Sequence, residues 1–157
     1  MIKLSQNGIQ PGSAIDQNVR IVHNRQKFFQ RPCMKSAKAI DKGALVNLYN
    51  IGGKDFLLKM IDNFMAKSPE RIVSSRKSLE TGDMKTIHLI AHSLKASSAN
   101  IGAVKVQEVS ERLEEMASIG MRETMGEGLE MLDAVLKEAI HSLQSERENW
   151  GHENLSH

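Results

Sequence analysis

The stretch DMKTIHLIAHSLKASSANIGA, residues 83–103, decides the fold. Gly82 is a helix-stop residue and Asp83 a helix-capping one, while Gly102 follows the last apolar residue, so the spacing predicts a helix from Asp83 to about Gly102. Each residue of a helix advances about 100° around the axis. With Leu94 as reference, Ile87, Ile90, Ala91, Ser98 and Ile101 all fall within about 60° of it and form one core-facing stripe.

Outward from this segment the same pattern repeats. Asp41 caps a short first helix through Ala44, Leu45 and Leu48, which the Gly52-Gly53 pair ends. Phe56, Leu57, Met60, Ile61, Phe64 and Met65 then recur at helical spacing, and Ile72, Val73 and Leu79 continue the stripe. Pro69, after Ser68, either kinks one long helix or sits in the first turn of a new one. Downstream, Val106, Val109, Leu113 and Met116 mark a helix ending near Gly120. Leu129, Leu132, Val135, Leu136, Ile140 and Leu143 mark a last one from about Thr124. The expected fold class is all-α: an antiparallel four-helix bundle over residues 41–145, with a short additional N-terminal helix.

Composition agrees. Aromatics are only 4% of the chain and Pro is limited to three, with nine Met, which suits helix packing better than a β-sandwich. The single Cys33 excludes an internal disulfide framework and a cysteine-pair metal site, so a reducing, cytoplasmic setting is expected. No uncharged apolar run reaches the roughly 18 residues of a membrane span. Residues 1–40 carry seven Lys or Arg against Asp16 alone, whereas residues 41–157 carry fourteen against eighteen acids. Residues 1–40 therefore read as a basic, flexible tail, and residues 146–157 as a C-terminal tail. The stretch from Asn18 to Phe29 lacks an amphipathic stripe, so neither nucleic acid nor membrane is an expected partner, and the chain is expected to be a monomer.

On the helix of residues 83–102, His92 lies about 160° from Leu94 and points to solvent. Its surface neighbours are Leu89, Lys95, Ala96 and, a turn further, Ala99, with His88 on its other side. Leu89, Ala96 and Ala99 leave a smooth, partly apolar platform from which a partner could approach the ring. A neutral imidazole offers one nitrogen as a nucleophile toward phosphorus, and an ammonium one turn away offsets part of the roughly two negative charges of a phosphoryl group.

The run Ala91-His92-Ser93-Leu94-Lys95-Ala96-Ser97-Ser98-Ala99-Asn100-Ile101-Gly102-Ala103 resembles the signature A-H-x-L-K-G-x-x-x-x-x-G of the histidine-containing phosphotransfer (HPt) family. Ala96 stands where many members have Gly. The likeness extends over residues 41–145, including the Gly-Asp turn and the Glu-Arg-Leu-Glu run at residues 111–114. It implies that His92 is the phosphoacceptor and that Lys95 neutralises phosphoryl charge; the helix-face neighbours Leu89, Ala96, Ala99 and His88 are the expected docking surface. The resemblance also implies partners: the receiver domains of a hybrid histidine kinase and of a response regulator. Gly102 reads as a helix end and Ser97 and Ser98 as packing residues.

The chain holds no G-x-x-x-x-G-K-[ST] loop and no kinase-type glycine loop, so no autonomous kinase activity is expected. The acids of residues 108–115 read as a solvated outer face rather than a Mg²⁺ site. No cofactor of its own is expected, and Mg²⁺ is assigned to the partner receiver. Two alternatives remain at this level: a metal shared by His88 and His92, in a motif that lacks the Glu of H-E-x-x-H, and a non-phosphorylated bundle that only docks receiver domains.

Overall fold

The computed structural model describes residues 38–152. Every regular element among them is an α-helix: α1 (Lys42–Thr81), α2 (Met84–Ile101), α3 (Val104–Ser118) and α4 (Arg122–His152). The tail expected at residues 1–40 lies outside the described residues up to position 37. Ile40, counted with that tail above, is buried and belongs to the core.

The chain reverses in two or three residues between α1 and α2, α2 and α3, and α3 and α4. Connections this short force neighbouring helices antiparallel. Each helix packs on its neighbour in sequence and α4 returns to α1, closing a four-membered ring. Leu57, Ile61, Ile87, Leu94, Leu113, Met116, Leu129, Leu132 and Leu136 are fully buried inside it. Each such side chain contributes about 1.5–3 kcal/mol by leaving water.

The short first helix is present as the opening segment of α1. Asp41 caps it by accepting a hydrogen bond from the Gly43 N–H at 2.9 Å, and it breaks at Gly53, whose φ of 76° and ψ of −172° are non-helical. Beyond the break α1 runs uninterrupted through Pro69, so that residue does not begin a new helix. Phe56 and Val73, placed on the core stripe by spacing, are exposed. Each lies about 100° around the axis from a neighbour, Leu57 or Ile72, that takes the buried place.

Gly82 and Gly102 end α1 and α2 in the same way, each at a φ near 76–78°. The Asp83 N–H reaches Ser78 O at 2.8 Å and the Ala103 N–H reaches Ser98 O at 2.9 Å, closing the last carbonyls of each helix. Asp83 caps α2 through the Thr86 N–H at 3.0 Å and the Thr86 hydroxyl at 2.6 Å.

The last helix does not stop at residue 145 but continues to His152, where a tail was expected. Its extra turns are anchored to α1: Trp150 stacks on Tyr49 with ring centroids 5.1 Å apart, Arg147 Nη2 pairs with Asp62 Oδ2 at 3.1 Å, and Lys54 donates to Gly151 O at 3.0 Å.

Candidate functional site

His92 is the ninth of the eighteen residues of α2, midway between its ends. The inward packing of Ile87, Ala91, Leu94, Ser98 and Ile101 fixes the rotation of the helix. That rotation turns the His92 side chain outward, 62% exposed.

The ring is not free to spin. Glu114, projecting from the flank of α3, places Oε1 2.7 Å from His92 Nδ1. Its other oxygen, Oε2, lies 2.5 Å from Lys95 Nζ. The backbone carbonyl of the same residue is 3.2 Å from His88 Nδ1. One residue thus gathers both histidines and the lysine. Glu114 was read above as one of several solvated acids, yet its side chain is only 16% exposed. The correction has a simple cause: the α2–α3 contact covers the flank of α3 that carries it.

A carboxylate can only accept, so the hydrogen on His92 Nδ1 is donated to Glu114. In the neutral ring this leaves the lone pair on Nε2, the outer nitrogen. Lys95 and, secondarily, His92 hold the Glu114 carboxyl below the usual carboxylate range, while the Glu114 hydrogen bond raises Lys95 above the usual lysine value. Both therefore stay charged at neutral pH.

Asp83 is held low by Thr86, and Asp133 by Lys137 and Arg76. For all three acids the folded form binds its proton more weakly than the unfolded chain does. Their stabilisation is thus complete at neutral pH, above the unfolded carboxylate range, and is lost as pH falls through about 4 and below. The urea midpoint is expected to be lower at pH 3 than at pH 7; equal midpoints would contradict this assignment.

Of the other residues singled out by sequence, Leu89, Ala96 and Ala99 are exposed on the same face as His92. Leu89 is an apolar side chain left 58% in water. His88 is half-buried and turned toward α3, so it offers little to an approaching surface. Ser98 is fully buried, whereas Ser97 is half-buried and accepts from Arg71 Nη1 at 3.1 Å. Gly102 ends α2 away from the imidazole and accepts the Asp41 N–H at 2.8 Å. Among the described residues no group of three His, Cys, Asp or Glu is placed to hold a metal ion.

The Hpt domain family model matches residues 59–146. The chain is 26% identical over 98 residues to Multistep phosphorelay regulator 1 of Schizosaccharomyces pombe, covering 60% of this chain and 33% of that protein. It is 26% identical over 113 residues to Phosphorelay intermediate protein rdeA of Dictyostelium discoideum, covering 72% of this chain and 44% of that protein. It spans less than half the length of these curated relatives. Among solved structures it resembles histidine-containing phosphotransfer protein B (HptB) from Pseudomonas aeruginosa PAO1, with a TM-score of 0.68, 28% identity, and coverage of 73% of this chain and 98% of that one.

Proposed function

The chain belongs to the Hpt domain family, and we propose on that premise that it relays a phosphoryl group between receiver-domain aspartates, from a hybrid sensor kinase to a response regulator, through His92. The observation that carries this reading is the exposed imidazole held at Nδ1 by Glu114, with Nε2 open to a visitor.

In the transfer, the Nε2 lone pair attacks phosphorus, the bond to the aspartyl oxygen breaks, and that oxygen leaves with the bonding electrons as a carboxylate. The ring gains positive charge as the new N–P bond forms. Glu114, already ionised and bonded to the Nδ1 hydrogen, stabilises that charge. Lys95, one turn along, faces the incoming phosphoryl oxygens. The reverse sequence returns the group to a second aspartate. Positioning and charge are the bulk of phosphoryl-transfer catalysis, and the Mg²⁺ that completes it is assigned to the receiver. The chain acts as an intermediate rather than a kinase, in the cytoplasm, as a monomer.

No helix among the described residues is long and apolar enough to cross a membrane. The docking-only alternative is not favoured, since it leaves the Glu114 arrangement without a purpose.

The test is direct. When the protein is mixed with a receiver domain carrying radiolabelled phospho-aspartate, label is expected to move to this chain in an acid-labile, alkali-stable form. Absence of such label from every receiver tried would end the relay reading. Lys95→Ala and Glu114→Gln are each expected to slow transfer by about tenfold or more without unfolding the bundle, because each removes one charge from the transition state. Rapid-quench rates equal to wild type in both would refute these roles.

A further inference from the structure

The surface around His92 is divided by charge. On one side stands α3, with the exposed acids Glu111 and Glu115 beyond Glu114. On the other stands α1, which presents Arg71 and Lys67 to a small cleft shared with Asn63, Ser97 and Asn100.

Arg71 is the unusual member. It is half-buried, and its Nη1 donates to a hydroxyl, Ser97 Oγ, at 3.1 Å. Among the described residues no carboxylate pairs with it. A guanidinium has five N–H donors in a planar fork matched to a carboxylate. Lys67 beside it pairs with Glu70, at 3.3 Å on an exposed surface. The cleft thus offers a preorganised cation and two amide side chains with spare hydrogen-bonding capacity.

Its position links it to the phosphoryl site. Ser97 lies five residues beyond His92 and Asn100 eight, about 7.5 and 12 Å along the axis at 1.5 Å per residue. A protein docked over His92 with an interface of about 800 Å² per partner reaches about 16 Å from its centre. The cleft therefore falls inside the footprint, at its α1 margin, with the Ala96 and Ala99 platform between it and the ring.

We propose that Arg71, with the cleft it lines, is a specificity contact for a carboxylate side chain on the receiver domain that docks over His92. This rests on the relay reading above. With acids on the α3 side and a cation on the α1 side, a receiver of matching polarity docks in one orientation, while one turned around meets like charge on both margins.

The test measures transfer from receiver domains charged with acetyl phosphate, as a function of receiver concentration, for wild type, Arg71→Gln and Arg71→Glu. Phosphoramidate, which needs no docking surface, serves as a second phosphodonor. The expected result is a half-saturating receiver concentration raised about tenfold or more in Arg71→Glu and less in Arg71→Gln. The saturating rate and phosphorylation by phosphoramidate should stay within twofold of wild type, and the salt dependence should be weakened in both variants. An unchanged half-saturating concentration for every receiver that serves wild type overturns the proposal. So does an equal loss with phosphoramidate, which would assign Arg71 a structural role. If wild type accepts phosphate from phosphoramidate but from no receiver, or from neither donor, the relay reading itself fails and the proposal goes with it.

Discussion

Replacing His92 by Gln is expected to leave the bundle folded and to lower phosphoryl acceptance by more than about a thousandfold. The side chain is exposed, so its removal opens no cavity, and the Gln amide can still donate a hydrogen bond toward Glu114. What it lacks is a nitrogen with an available lone pair, because the amide nitrogen's electrons are delocalised into its carbonyl. His88, one turn away, is half-buried and faces α3, so it is poorly placed to take over. Gel autoradiography after incubation with a labelled phospho-receiver reads the result. Label persisting in the variant would place the acceptor elsewhere.

Gly102→Ala is expected to be the most damaging small substitution for stability, at about 2–5 kcal/mol. Two costs add. A φ of 78° strains any residue with a Cβ, and that Cβ would stand 2.5 Å from the Asp41 carbonyl oxygen and 2.8 Å from Ala44 Cβ. Neither neighbour can step aside, since Asp41 is tied to Gly102 by a backbone hydrogen bond and begins α1. Gly120 supplies the control. It has a φ of 72° but nothing within 4 Å of an added Cβ, so Gly120→Ala should cost only the backbone strain, about 1–2 kcal/mol. Urea denaturation of the two variants separates them, and equal losses would show that the contact with Asp41 is unimportant.

Reading the sequence alone located His92 on the outer face because a helix has a fixed angular step and α2 has a clear apolar stripe. The same logic gave the helix ends at Gly82 and Gly102, where local chemistry settles the matter. It failed wherever the deciding partner was distant in sequence. Glu114 sits twenty-two residues from His92, and only the register between two antiparallel helices brings them together. The Glu-Arg-Leu-Glu run that ends in Glu114 was visible as part of the family resemblance, but its pattern does not say which acid turns toward the ring. The end of α4 was set too early for a similar reason. Trp150 finds Tyr49 about a hundred residues back, and no periodicity within the last helix announces that contact. Pro69 was left open because its effect depends on whether flanking packing holds the helix together, and the buried Ser68 and Ile72 on either side do so.

On the proposed relay, the central position of His92 along α2 bears on how firmly a phosphoryl group would be held there. The field of the aligned peptide groups is felt within the first or last turn of a helix and fades toward its middle. A phosphoryl group there gains no pull from backbone amides of the kind that make helix amino ends durable anion traps. It would be held by one ammonium and opposed by a neighbouring carboxylate, an arrangement suited to a shallow resting place from which departure in either direction stays easy.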